Sequence, residues 1–304
     1  MDVVVSAVAA VLAGLCLAAA GVLQQRSASR RPASERLSLR LMRRLVADRT
    51  WLLGILAAAV SYGFQAVALS FGPLTLVQPL VVSELLFAVP VSVRLRDLRL
   101  RRRDWCAVAA VVAGLALGIV AADPQRGQPV QPLARWVPAL IAITVLVALS
   151  VAVATRVRGP GKATAFALAG ACTMGLQSAL YDATITVLRH RTWHVFVVWE
   201  TYGLIAASLV GMYLIQNAFQ SGPLAASTPL IDSTLPLVAI GLGVGIFGEP
   251  VRTSIWGLGG AAAGLLALLG GIIALDTSPV VRKEQRLEAA EQERTAQREQ
   301  RETG

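Results

Sequence analysis

The chain has 304 residues, of which 55% are hydrophobic and only 15% are charged, and its formal net charge is +10. A soluble domain carries nearer a quarter charged residues. The apolar residues here recur in stretches of about 20, each long enough to cross a hydrocarbon layer of about 30 Å. Nine such stretches in series exclude a soluble fold. The basic residues lie between the apolar stretches, so they predict topology in a lipid bilayer and no nucleic-acid partner.

The apolar stretches predict an all-α polytopic membrane protein with nine transmembrane helices. The first stretch has no positive residue before it, unlike a signal peptide, so we predict an uncleaved first span. The nine predicted spans are 3–24, 51–71, 74–93, 105–122, 137–155, 163–187, 195–219, 224–247 and 254–275.

Two segments outside the predicted spans are long. In the basic insert 25–50, Leu37, Leu41 and Leu45 recur every fourth residue. This spacing favours an amphipathic helix on the cytoplasmic leaflet, and a solvated basic loop is the alternative. The charged segment 276–304 has no heptad of apolar residues, so we expect a solvated, partly helical cytoplasmic tail.

The distribution of Lys and Arg predicts the orientation. If the N-terminus is outside, the cytoplasmic segments contain 23 of the 28 Lys and Arg residues and the outer segments contain 5. Cytoplasmic loops carry the excess of positive residues in membrane proteins. We therefore expect a multi-pass protein of the cell (plasma) membrane with its N-terminus outside and its C-terminus cytoplasmic.

The sequence repeats itself at an offset of about 150 residues. FGPLTLVQPLVVSELL at 71–86 matches SGPLAASTPLIDSTLP at 221–236 at seven positions, which include two prolines. Chance matching in apolar sequence is the alternative. We predict a first repeat in 1–122 (spans 1–4) and a second in 161–275 (spans 6–9), with an outer loop and linking span 5 in 123–160. One linking helix inverts the second four-helix repeat, a common plan for secondary transporters.

Several short motifs resemble a known family. The GPL triplets, the mid-span prolines, the IFGEP sequence at 246–250 and the Gly/Ala-rich last span are similar to the drug/metabolite transporter (DMT) superfamily in its EamA-like form. The nine-span layout and the basic stretch after span 1 resemble most closely the NIPA branch, described as magnesium transporters. The resemblance covers about 1–278 and implies a transporter fold. It does not imply one substrate, because the superfamily carries very different solutes.

Two acidic residues fall near the middle of repeat-equivalent spans. Glu84 lies in span 3 and Asp232 in span 8, and a carboxylate at the bilayer centre costs about 2.5–3.5 kcal/mol on insertion scales. We predict that both face a central cavity, where they bind a cation or exchange protons. The alternative is that one or both pair with Gln78, Gln65, Gln216 or Asn217 as structural polar contacts.

Prolines lie inside the same two spans. Pro79 and Pro229 each remove a helix hydrogen bond and free the carbonyl four residues earlier, at Thr75 and Ala225. Freed carbonyls of broken transporter helices coordinate cations. We predict a helix break at each proline, and a packing kink is the alternative.

Further polar residues complete the candidate set. Four are paired by the repeat and are candidates for solute contact: Tyr62, Gln65, Tyr213 and Gln216. Asp182 and Glu200 lie near the predicted outer ends of spans 6 and 7, where they are candidates for the external mouth. Pairing with Arg189 or Arg191, or simple solvation, is the alternative for these two acids.

Glycines repeat at a spacing of four in spans 4 and 9. Gly114 and Gly118 in the first repeat correspond to Gly260 and Gly264 in the second, and small residues at this spacing let helices approach closely. We predict that the two spans pack together within one chain. Dimerisation is the alternative, so the protein is expected to be a monomer or a homodimer.

The chain contains no nucleotide-binding loop, catalytic triad or metalloprotease signature, so we expect no enzyme, no cofactor and no resident metal. The lack of Lys or Arg deep in a span disfavours anionic solutes. These features predict a secondary transporter that moves a small cationic or neutral solute by alternating access, with proton coupling open. The alternatives are a magnesium or other divalent cation transporter and a non-transporting membrane scaffold.

Overall fold

The computed structural model describes residues 2–29, 48–95, 101–190, 192–221, 224–279 and residue 283. All regular elements within these ranges are helical, and no strand occurs there. The amphipathic helix predicted in the insert and nearly all of the predicted charged tail lie outside the described residues.

Ten α-helices and one short 3₁₀ helix make up the described part of the chain. In chain order they are α1 Asp2–Ser29, α2 Arg49–Phe71, α3 Leu74–Val81, α4 Glu84–Leu95, α5 Arg102–Ala122, α6 Leu133–Arg156, α7 Pro160–His190, the 3₁₀ helix Thr192–Phe196, α8 Trp199–Ser221, α9 Leu224–Gly245 and α10 Ile255–Asp276.

The prediction of nine spans is confirmed. Nine helical segments of the described ranges are long and apolar enough to cross a bilayer, and α3 and α4 together form one of them, Leu74–Val91. A helix satisfies its backbone hydrogen bonds internally, which hydrocarbon requires. The protein is therefore an all-α, multi-pass membrane protein.

The third span is interrupted immediately before Glu84. The backbone N–H of Ser83 donates to the carbonyl of Leu80 at 3.0 Å, which is the tighter hydrogen-bond pattern of a 3₁₀ turn. The break was predicted at Pro79, and the interruption lies a few residues after it. Helix α9 continues through Pro229 without a break. A proline removes one backbone hydrogen bond and can bend a helix, but the helix can continue beyond it.

The helices pack in corresponding sets. Helix α1 packs along α2 and against α3 and α4, while α7 packs along α8 and against α9. Helices α5 and α10 pack along each other, and α3 contacts α9 between the two sets. Helix α7 is the most buried of the nine spans in the described chain: 72% of its central apolar segment is buried inside the protein. Its buried residues are mostly small, such as Ala167, Ala171 and Ala183, so its neighbours approach closely.

The close packing predicted for the glycines of spans 4 and 9 within one chain is confirmed. A Cβ added at Gly264 of α10 would lie 2.7 Å from the Cα of Gly118 and 2.8 Å from the carbonyl oxygen of Gly114. Both contacted atoms belong to the backbone of α5, which cannot rotate away. A Cβ added at Gly118 would meet nothing within 4 Å.

We predict that Gly264→Ala destabilises the protein and Gly118→Ala does not. The added methyl at residue 264 forces α5 and α10 apart, and overpacking of this kind costs about 1–3 kcal/mol. The measurement is the midpoint of thermal unfolding of each purified variant in the same detergent. Equal midpoints for the two variants would contradict the close approach at Gly264.

Candidate functional site

A polar cavity of about 140 Å³ lies at the centre of the helix bundle. Residues of α1, α2, α3, α4, α7 and α9 and of the interruption in span 3 line it. Five of the residues selected from the sequence are among them: Tyr62, Gln65, Gln78, Glu84 and Asp232. The fold thus brings acids from span 3 and span 8 to one cavity.

Three further polar residues line the cavity and were not selected from the sequence. They are Ser61, Gln177 and Ser178. The hydroxyl of Ser61 donates to the carbonyl of Ala13 at 2.7 Å, and that of Ser178 donates to the carbonyl of Met174 at 3.1 Å. Gln177 and Ser178 lie on α7. Their contact with the cavity follows from the packing of the helices and has no signal in the sequence.

The cavity contains acidic side chains and no basic one among its described lining residues. The carboxyl groups of Glu84 and Asp232 lie within electrostatic range of each other and of Asp276, the last residue of α10. Asp276 is buried, and its Oδ2 has no hydrogen-bond partner. It also lies at the negative end of a helix dipole.

Gln78 is the clearest unsatisfied polar group of the cavity. Its side chain is only 3% exposed, and its Nε2 has no hydrogen-bond partner. A buried donor without a partner costs about 1–3 kcal/mol in proteins. Since Gln78 lines the cavity, a solute or water bound there would supply the missing acceptor.

The structure does not bring Tyr213 and Gln216 to the cavity. Both side chains are exposed on α8, and Tyr213 is 67% exposed. The face of α8 toward the bundle consists of Ala207, Gly211 and Leu214, at the spacing of one helix face. The repeat equivalents of Tyr62 and Gln65 therefore point away from the protein centre.

Asp182 and Glu200 are both buried near one end of the bundle. Asp182 is 1% exposed, and neither carboxylate oxygen has a hydrogen-bond partner. Its neighbours in electrostatic range are Glu249 and Arg126. Glu200 lies in the first turn of α8. The two acids predicted to line an external mouth are thus enclosed in this conformation.

Glu249 of the IFGEP motif joins the two sets of helices. It follows α9 in the chain, but its Oε1 accepts from the backbone N–H of Leu74 at 2.6 Å and its Oε2 from that of Thr75 at 2.9 Å. A carboxylate at the amino end of a helix satisfies its free N–H groups and complements its dipole. Glu249 therefore fixes the amino end of α3 from the other half of the chain.

The pKa of the Glu249 carboxyl is raised by its burial, and the hydrogen bonds from Thr75 and Leu74 and the charge of Arg126 partly oppose that increase. Its side chain is 2% exposed. Glu249 was not among the site residues selected from the sequence, although it belongs to the IFGEP sequence at 246–250.

The two loops at the Glu249 end of the bundle, 123–132 and 246–254, are bonded together. Gln128 N donates to Phe247 O at 2.9 Å, and Arg252 N donates to Ala122 O at 2.8 Å. Arg126 donates to the carbonyl of Ser70, the carbonyl to which Arg189 also donates. These contacts tie the two loops to each other and to the end of α2.

The opposite end is joined at Asp104, which is fully buried. Its Oδ2 accepts from Arg101 N at 2.7 Å, and its Oδ1 accepts from the hydroxyl of Ser278 at 2.6 Å. These bonds connect the beginning of α5 to the chain after α10. Both carboxylate oxygens of Asp104 thus have hydrogen-bond partners, and Asp104 caps the beginning of α5. Asp276 differs, because its Oδ2 has none.

A second cavity, of about 290 Å³, lies on another side of α3. It is lined mainly by apolar residues of α5, α9 and α10, with Thr75 and Arg252 as its polar members. It offers no buried charge for solute recognition. No group of three or more His, Cys, Asp or Glu in the described residues is arranged to hold a metal ion. The central polar cavity is therefore the candidate functional site.

Fold and cavity define a polytopic helical membrane protein with an acidic cavity at its centre. The chain is 30% identical over 269 residues to an uncharacterized protein of Corynebacterium glutamicum, and the alignment covers 88% of this chain and 92% of that protein. The chain therefore belongs to the same family as this corynebacterial protein. No family model and no solved structure matches the chain.

We predict that Glu249→Ala lowers the midpoint of thermal unfolding clearly. It leaves two amides at the start of α3 without an acceptor, and bonds to a charged group contribute about 1.5–3 kcal/mol each. The matched control is Asp123→Asn, which removes the exposed ion pair with Arg252 (3.0 Å) and is expected to change stability by less than about 1 kcal/mol. A Glu249→Ala variant as stable as the control would contradict the role assigned to Glu249.

Proposed function

We propose that the protein is a secondary transporter of the drug/metabolite transporter type that moves a small cationic solute by alternating access. The observation that carries this proposal is the central cavity, which both Glu84 and Asp232 line together with Gln78, whose Nε2 has no hydrogen-bond partner. The cavity has no Lys or Arg among its described lining residues. A neutral solute is the less favoured choice within the same proposal.

Charge balance supports a cation. Two carboxylates in a region of low dielectric repel each other strongly when both are ionised, and a buried charge without a partner is costly. A bound cation, or protons, relieves both penalties. Either ligand must come from solution, because the cavity supplies no basic side chain.

The helix packing supports two inverted four-helix repeats. The pairing of α1 with α2, α3 and α4 matches the pairing of α7 with α8 and α9, and α5 pairs with α10. In the proposed arrangement, the cavity lies between the repeats and α6 is the linking helix. Transporters of this plan bind solutes at the repeat interface near the membrane centre.

The cavity volume limits the size of the solute. A volume of about 140 Å³ corresponds to four or five water molecules at about 30 Å³ each. Most pockets for small molecules have about 300–1,000 Å³. A small cation or a partly hydrated ion suits this conformation.

Magnesium is the second candidate, and the same acids favour it. Mg²⁺ keeps several waters and binds through one or two carboxylates, which matches Glu84 and Asp232 in a cavity of this volume. It does not require a group of three acidic ligands. A non-transporting scaffold is less consistent with unpartnered polar groups around a central cavity.

We predict that a small cation raises the unfolding midpoint of the purified protein, and that Glu84→Gln or Asp232→Asn abolishes this increase. Ligand at one hundred times its Kd stabilises by about 2.7 kcal/mol. The measurement is a thermal-shift screen with magnesium, other metal chlorides, alkylamines and guanidinium salts. Each hit is then tested for flux in proteoliposomes. Stabilisation and flux that persist fully in both variants would contradict the proposed site.

The repeat provides a matched pair of controls for this screen. Gln65 lines the cavity, whereas its repeat equivalent Gln216 is exposed on α8. Gln65→Ala is expected to weaken the ligand-induced shift, and Gln216→Ala to leave it unchanged. Equal effects of the two substitutions would indicate that the ligand binds elsewhere.

We propose that the protein spans the cell membrane with its N-terminus outside and its C-terminus in the cytoplasm. The excess of Lys and Arg in four of the connecting and terminal segments supports this orientation. The Glu249 end of the bundle then faces outward, and the Asp104 end faces the cytoplasm.

We predict that a green fluorescent protein fused after Gly304 is fluorescent in a bacterial host and that alkaline phosphatase fused there is inactive. The first reporter matures in the cytoplasm, and the second needs the oxidising periplasm to form its disulfides. A fusion at the loop 123–132 should give the reverse result. An active phosphatase after Gly304 would overturn the orientation.

A further inference from the structure

The Glu249 end of the bundle contains a buried acid that the central cavity does not use. Asp182 lies on α7, it is almost fully buried, and neither of its carboxylate oxygens has a hydrogen-bond partner. An ionised carboxylate in such surroundings requires a cation or takes up a proton. Asp182 therefore points to a ligand of its own.

The charged groups around Asp182 identify that ligand. Glu249, from the loop after α9, disfavours a second negative charge, while Arg126, from the loop after α5, partly offsets it. Arg189 on the same helix donates to the carbonyl of Ser70. Arg126 already places a positive charge near Asp182, so a second cation bound there would be repelled. A proton needs only one carboxylate oxygen.

The same groups also connect the elements at this end of the bundle. Glu249 binds the amides of Leu74 and Thr75, and Arg126 reaches both the carbonyl of Ser70 and, at 3.5 Å, the hydroxyl of Thr186. Thr186 lies one helical turn from Asp182 toward this end. If this end opened, these contacts would be separated and Asp182 would be exposed to water.

We propose that Asp182 is the proton-binding group of the transporter and that its protonation keeps the Glu249 end closed. This inference rests on the proposed function and adds a second site, distinct from the cavity of Glu84 and Asp232. Asp182 takes one proton from water on the Glu249 side as this end closes. It returns the proton to the same side as the end opens, because the ionised carboxylate requires hydration.

The sign of the pH dependence follows from this scheme. Acidic solution favours the closed end, and alkaline solution favours the open end. An equilibrium linked to a single proton changes by at most about tenfold per pH unit. The other buried acid of this end, Glu200 in the first turn of α8, provides a control for a general effect of buried carboxyl groups.

The test measures access to the closed end without any solute. A Thr186→Cys variant in lipid nanodiscs, with both faces open to reagent, is labelled with a polar maleimide across a pH series. Labelling of residue 186 is measured by mass spectrometry, which separates it from Cys16, Cys106 and Cys172. Rates are divided by those of the unfolded protein at the same pH, because the thiolate fraction itself rises with pH.

We expect the normalised rate in the Thr186→Cys protein to rise with pH, by up to about tenfold per unit. Adding Asp182→Asn should remove the pH dependence and keep the rate at its low, acidic value. Adding Glu200→Gln should leave the dependence intact. Thermal unfolding of each variant checks that a lost response does not reflect a lost fold.

Three results would overturn the assignment. The first is a pH-independent rate in the Thr186→Cys protein, and the second is a dependence that survives Asp182→Asn. The third is a dependence lost only with Glu249→Gln, which would transfer the proton site to Glu249. None of these involves Glu84 or Asp232, so failure here is distinguishable from failure of the cation-binding screen.

Discussion

Hydrocarbon offers no hydrogen bond and no hydration to a polar group, and every part of this fold responds to that constraint. Backbone groups are satisfied inside helices, which is why nine apolar segments of the described chain are helical. Polar side chains must either bond to a neighbouring carbonyl, as Ser61 does, or turn toward the interior. The interior groups that find no such bond, such as Gln78 Nε2 and the carboxylate oxygens of Asp182, are therefore the ones that suggest ligands.

Close packing of small residues makes the interior possible. The backbones of α5 and α10 approach at Gly114 and Gly264, and α7 presents mainly alanines and glycines to its neighbours. Van der Waals contact of this kind replaces the hydrophobic effect, which does not drive helices together in lipid. Helices held in this way keep the acids of different spans at one cavity.

The two ends of the bundle differ in how they are joined. At one end Glu249 crosses between the halves to bind α3, and two loops bond along their backbones. At the other, Asp104 caps α5 and binds Ser278. Both ends therefore join the first half of the chain to the second, through the amides of α3 at Glu249 and through Ser278 at Asp104.

The sequence by itself determined the helices, because apolar length, proline and charge are local properties: the predicted spans match the observed ones within a few residues, and Glu84 and Asp232 were identified from their depth alone. Only the tertiary structure decided which faces meet. It turned Tyr213 and Gln216 outward, moved the break in span 3 to the residues before Glu84, and brought Glu249 to α3. The direction of a side chain around a helix depends on its neighbours' packing, which no local pattern in one chain specifies.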